Sequence, residues 1–239
     1  MTGPGSLVVA FDHAPLGLFA GLRNLPGIVS ALADVKPDAV ILNFGPMKRL
    51  GAELARSGID TVLRLDGNRS YLAGDWTSSD EWELFYSVET AVKVGAAGVI
   101  ANLLLGGPGE MASIRAVSTA AAAAHAARLR FYVSSIVLNQ PGGDGKAFGA
   151  RMAFELGADV VNMYGADPRV VEEAVSWCDG GALLAQGAPK SGQPEAVIGW
   201  AKECMVAGAT GVCVGEAVWG ADDPAAVLAG IRQVTHAVV

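Results

Sequence analysis

The chain has 239 residues with 17 basic and 24 acidic side chains, a formal net charge of −7, so it lacks the cationic excess that a phosphate backbone or an anionic lipid surface would require. Apolar residues make up 51% of the chain, but they fall in short runs broken by Gly, Asp and Asn, never in the ~20 consecutive positions of a membrane span. Leu7 to Phe11 is too short for a signal peptide. A cytoplasmic protein with one domain over residues 1–239, and with neither nucleic acid nor membrane as partner, is therefore expected. Three cysteines, Cys178, Cys204 and Cys213, have no spacing that suggests disulfides or zinc and read as buried small apolar residues.

In chain order, short β-branched runs alternate with stretches of helical period. The predicted strands are Ser6 to Asp12, Ala39 to Phe44, Thr61 to Asp66, Gly98 to Leu105, Phe131 to Leu138, Asp159 to Tyr164, Ala182 to Gln186 and Thr210 to Gly215. Predicted helices include Trp82 to Val94, Glu110 to Leu129, Lys146 to Leu156, Pro168 to Cys178 and Pro194 to Ala207. Asp167-Pro168 and Asp223-Pro224 read as helix starts, with a capping carboxylate before a proline at the first helical position. Gly95, Gly157 and Gly208 read as left-handed C-caps.

Eight βα units at this length favour a closed α/β architecture, a single (β/α)8 or TIM barrel. No G-x-G-x-x-G follows the first strand, so no dinucleotide fingerprint is present and no cofactor is expected. A barrel collects its active site at the C-terminal strand ends. Those ends supply Asp12 and His13, Asn43, Arg64 and Asp66, Asn102, Ser134 and Ser135, Asn162 and Tyr164, Gln186 and Gly187 with Lys190, and Gly215 with Glu216. They show no His cluster or carboxylate–His spacing suited to a metal.

Several of these strand ends resemble class I fructose-bisphosphate aldolases of archaeal type, within the DeoC-like superfamily, and their relatives the aminodideoxyheptulosonate synthases and the autoinducer-2 phosphate thiolase. The resemblance is carried, in order, by Asp12-His13-Ala14, Leu63 to Asn68, Ser87 to Ala96, Gly106 to Glu110, Gly157 to Val161, Gly187-Ala188-Pro189-Lys190 and Gly208 to Gly211. It implies the barrel, aldol chemistry on a small carbonyl compound, and a homo-oligomer.

The resemblance also implies a loss. The family's imine-forming lysine on the sixth strand is Asn162 here, and an amide is not nucleophilic. The fifth-strand tyrosine falls near Val137. The phosphate-binding arginine after the eighth strand is Glu216, which would repel a phosphate. Asp12 is retained as the acid/base candidate, with His13 beside it. Lys190, and less so Lys146, is a lysine from which a relocated imine could form. Asn162, Tyr164, Asn43, Arg64, Asn102, Ser135, Gln186, Gly187 and Gly215 are the substrate-binding candidates. Trp76 and Trp82 lie in a long segment that could form a lid, an aromatic wall or an oligomer contact. The expected activity is carbon–carbon bond formation or cleavage in a small keto or polyhydroxy substrate in specialised metabolism. The alternatives are an imine-free isomerase, dehydratase or cyclase with the catalytic candidates Asp12 and Glu216 working as acid and base, or a non-catalytic binding subunit.

Overall fold

The structure, a computed structural model, describes residues 3–13, 16–139, 143–189 and 193–237. Parallel strands close a barrel in the order β1 (Ser6–Ala10), β2 (Ala39–Leu42), β3 (Asp60–Arg64), β6 (Gly98–Leu105), β7 (Arg130–Val137), β8 (Val160–Tyr164), β9 (Ala182–Gln186) and β10 (Gly211–Val214). β10 closes onto β1, with Ser6 opposite Gly211 and Val9 opposite Val214. This is the expected (β/α)8 barrel, and the expected strands match to within a residue or two at their ends.

Helices α1 (Leu25–Ala33), α2 (Phe44–Arg56), α3 (Val88–Lys93), α4 (Glu110–Ala126), α5 (Gly143–Glu155), α6 (Pro168–Trp177), α7 (Pro194–Val206) and α9 (Pro224–Ala237) alternate with the strands, and a short α8 (Glu216–Trp219) follows β10. Among the described residues no helix is long and apolar enough to cross a membrane.

Strand alternation sorts each strand between two cores. Val8, Ile41, Val62, Ile100, Tyr132 and Leu184 fill the barrel interior. Their chain neighbours Leu7, Val40, Leu63, Val99, Phe131 and Leu183 face the helices. Burying each such side chain stabilises the fold by roughly 1.5–3 kcal/mol, and the strands are largely apolar on both faces because both are covered. The same parity, continued past the last interior layer, decides which strand-end residues point into the mouth.

The expected caps are present. The Asp167 carboxylate accepts from Val170 N at 3.0 Å and that of Asp223 from Ala226 N at 3.0 Å. Gly95, Gly157 and Gly208 have φ of 71°, 100° and 102°. Replacing Asp167 with alanine is expected to lower stability by about 0.5–2 kcal/mol, read as a shifted urea midpoint at unchanged slope.

One expected element differs. Trp82 to Val94 is not one helix: Glu83–Leu84 (β5) pairs antiparallel with Asp66–Gly67 (β4), and helix α3 begins only after Ser87, whose hydroxyl accepts from Thr90 N. The apolar spacing of Trp82, Leu84, Tyr86 and Val88 fits a short extended piece before a helix as well as it fits a helix. The indole and the β4 pairing decide between them.

Candidate active site

A cavity of about 370 Å³ opens at the C-terminal mouth of the barrel. Strand parity brings Asp12, Asn43, Arg64, Asn102, Ser134, Gln186 and Gly215 to its wall, each two residues beyond an interior residue (Ala10, Ile41, Val62, Ile100, Tyr132, Leu184 and Cys213), and likewise Tyr164 beyond Asn162 and Asp66 beyond Arg64. His13, Gly187 and Glu216 also line it.

The centre of the site is Arg64. Its Nε donates to Asp12 Oδ2 at 2.7 Å, and Nη2 lies 2.7 Å from the same oxygen. Nη1 donates to Asp66 Oδ1 at 3.2 Å and to Asn102 Oδ1 at 2.9 Å. The other oxygen of Asp66, Oδ2, accepts from the Trp82 indole at 2.7 Å and from Asn102 N at 2.8 Å. A guanidinium has five N–H donors, so these contacts leave one on Nη2 for a ligand.

Two carboxylates share this cation but differ in environment. Burial alone would raise the Asp12 carboxyl, yet Arg64, with His13 and the hydrogen bonds, outweighs it and holds the group below its ordinary 3.8. At Asp66 burial is the larger effect and lifts the carboxyl above 3.8 despite Arg64 and the donors on both its oxygens. Asp12 is thus the more acidic of the pair, an asymmetry suited to dividing acid and base roles.

His13 is held beside Asp12, with Nδ1 3.6 Å from Asp12 Oδ1, beyond hydrogen-bond reach. Its ring stands edge-on to Trp219 at 5.3 Å and to Phe19 at 6.1 Å. The Trp219 indole is tied to Ala10 O at 3.0 Å. Gly215 makes room for the imidazole, because a Cβ there would lie 2.9 Å from His13 Cε1.

Two expected substrate-binding residues stand apart from the wall. Asn162 points into the barrel but one layer below Tyr164; it is wholly buried and donates from Nδ2 to Cys213 Sγ at 3.5 Å. Ser135 faces outward, toward α5, where a Cβ on Gly149 would meet its Oγ at 2.5 Å. Its neighbour Ser134 has the inward parity and lines the cavity in its stead. Lys190 lies outside the described residues. Lys146 lies off the cavity lining, its ammonium hydrogen-bonded to Gly165 O.

Asp66, Asn68, Arg69, Trp82, Ser134 and Cys213 also line the cavity but were not chosen as substrate or catalytic residues from the sequence. Asp66 and Ser134 were visible as strand ends. Asn68 showed only as the end of the Leu63 to Asn68 match, and Arg69 sits on an aperiodic excursion and gave no signal. Trp82 belongs to the cavity wall, while Tyr71 and Leu72 on the same excursion are exposed. Cys213 is buried like Cys178 and Cys204 but also forms part of the floor. Burial, aided by the Asp12 charge, raises its thiol, so it is protonated and not a nucleophile. The Cys204 thiol is pushed up to about 12, first by burial. Among the described residues no group of three or more His, Cys, Asp or Glu side chains could hold a metal ion.

The profile of the DeoC/LacD family aldolases matches residues 7–221. The chain belongs to that family. This aldolase is 25% identical to a class 1 fructose-bisphosphate aldolase of Halobacterium salinarum, over 96% of the chain and 90% of that protein. It is 28% identical to the 2-amino-3,7-dideoxy-D-threo-hept-6-ulosonate synthase of the same species, over 96% and 86%. An uncharacterized aldolase of Saccharolobus solfataricus is 24% identical over 97% and 89%. In fold the aldolase superposes on an archaeal fructose 1,6-bisphosphate aldolase with a TM-score of 0.85 at 23% identity, covering 98% of this chain and 95% of that one. It is an aldolase-type lyase, with the barrel mouth as its candidate site.

Proposed function

We propose that this aldolase cleaves or forms the bond between the α and β carbons of a small β-hydroxy carbonyl compound without an imine on its sixth strand. The observation that carries the reading is Arg64, whose charge keeps Asp12 ionised and whose remaining Nη2 N–H is free for a carbonyl oxygen. In the cleavage direction Asp12 takes the β-hydroxyl proton, the Cα–Cβ bond breaks, and its electron pair moves into the carbonyl to leave an enolate and an aldehyde. The enolate oxygen is held by Arg64 and by the Asn102 NH2, which faces away from Arg64 because the amide oxygen accepts from it. Preorganised donors of this kind, aimed where charge develops, are the usual substitute for a covalent electron sink. The proton on Asp12 then returns to the enolate carbon.

Tyr164, Gln186, Asn43 and Glu216 would orient the hydroxyl groups of the substrate, and Ser134 would join them. Asn162 would act from below, setting the depth of the cavity through Cys213. A cytoplasmic homo-oligomer in specialised metabolism belongs to the same reading, and light scattering of the purified protein tests the assembly.

Borohydride treatment in the presence of dihydroxyacetone phosphate, pyruvate and hydroxyacetone, with a lysine-dependent relative trapped in parallel, is expected to leave no reduced adduct on this chain. An adduct mapped to Lys190 would sink the imine-free mechanism and make that lysine the electron sink.

A further inference from the structure

We propose that Arg69 is the anion-recognition residue of the cavity and that the substrate carries a carboxylate near its carbonyl group. The inference rests on the carbonyl reading above and adds the substrate's charge to it.

Two guanidinium groups line the cavity among the described residues, Arg64 and Arg69. Arg64 is neutralised by Asp12 and Asp66. Among the described residues no carboxylate lies within ion-pair distance of Arg69. Its Nε is buried with no hydrogen-bond partner, and Nη2 makes only long contacts, to Asp75 O at 3.4 Å and Ser78 Oγ at 3.3 Å. The nearby Asp75 carboxylate is engaged by Thr77, through its amide at 2.9 Å and its hydroxyl at 2.7 Å.

A guanidinium N–H withdrawn from water without an acceptor is costly. A carboxylate accepting from Nε and one Nη side by side removes that cost and fits the planar fork.

The backbone that presents Arg69 is fixed. Gly67 is paired with Glu83 at the neck of the excursion, and the Phe85 ring lies where a Cβ on Gly67 would be, 2.3 Å away. The Arg69 amide donates to Asn68 Oδ1 at 2.5 Å.

Charge selects the kind of anion. Asp12, Asp66 and Glu216 give the described lining three carboxylates against two guanidinium groups. Among the described lining residues a phosphate dianion would meet more carboxylate than guanidinium groups, whereas a monoanionic carboxylate needs only the Arg69 fork.

The test is calorimetric titration of wild type, Arg69→Gln and Arg69→Lys with pyruvate, its uncharged ester methyl pyruvate, and dihydroxyacetone phosphate, with melting midpoints as a check on folding. Wild type is expected to bind pyruvate roughly tenfold more tightly than the ester. That preference should vanish in Arg69→Gln and persist in part in Arg69→Lys. Equal binding of pyruvate and ester by wild type, or a preference that survives Arg69→Gln, overturns the anion site and leaves the carbonyl pocket standing. Dihydroxyacetone phosphate bound more tightly than pyruvate in an Arg69-dependent way overturns the carboxylate and assigns a phosphate. Binding of none of the three overturns both the anion site and the carbonyl reading.

Discussion

Asparagine in place of Asp12 is expected to lower turnover by roughly 10²–10⁴-fold, the usual contribution of a positioned general base. The amide can still accept a hydrogen bond from Arg64 but cannot take the hydroxyl proton. Steady-state rates on a substrate found by carbonyl screening measure the loss, and an undiminished rate would remove Asp12 from the mechanism. The pH profile gives an independent check. Because Arg64 depresses the Asp12 carboxyl in the free enzyme, the acid limb of kcat/KM should fall below 3.8, the group's ordinary value. A bound carbonyl oxygen draws on the same guanidinium and weakens its hold on Asp12, so the acid limb of kcat should lie at higher pH than that of kcat/KM. Coincident limbs would mean that substrate does not share Arg64.

The largest loss of stability is expected from Arg64→Leu. It leaves Asp12 and Asp66 facing each other across a buried site with no cation between them. Removing one partner from a buried ionic cluster costs about 3–5 kcal/mol, which for a chain of this size lowers the melting midpoint by roughly 6–20 °C. The sign of the pH dependence follows from the shifts.

In wild type the Asp12 carboxyl is held below its ordinary value, so its contribution is fully present above pH 3.8 and is lost as pH falls through the lower folded value. Asp66, raised by burial, opposes folding at neutral pH, and acidification through its raised value relieves that cost. Without Arg64 both carboxyls titrate above their unfolded values. The deficit of the variant should therefore be greatest at neutral pH and shrink on acidification. Melts of both proteins across the acid range measure it; a deficit that does not depend on pH would show that Arg64 acts through packing rather than charge.

The barrel was legible in the sequence because its signal is periodic. Runs such as Leu7 to Phe11 and Ala39 to Leu42 are apolar on both faces, the mark of strands covered on both sides. Strand ends gave the neighbourhood of the site, and Asp12, His13, Arg64, Asn102, Tyr164 and Gln186 do converge on one cavity.

What the sequence blurred was depth and facing. Ser134 and Ser135 are chemically identical neighbours, and only the inward placement of Tyr132 two residues earlier shows that Ser134 faces the cavity. Asn162 attracts notice as the replacement of a lysine, yet it lies a full layer beneath the wall that Tyr164 forms. The excursion from Asp66 to Trp82 was opaque for a different reason. Arg69 and Trp82 owe their places to the β4–β5 pairing and to the indole of Trp82 bonding Asp66, contacts with no period to read.

That excursion has a wider consequence. A single pair of two-residue strands draws its ends together, so everything from Asn68 to Glu81 enters and leaves the barrel through one narrow seam. Such a segment behaves as an exchangeable cassette. Its sequence and length can drift without altering the strand register on either side, while each change redraws one wall of the cavity and the charge displayed there. Selection for a new substrate, in nature or in a library, would find its cheapest route in those fifteen or so positions, with the ionic floor of Asp12, Arg64 and Asp66 left in place.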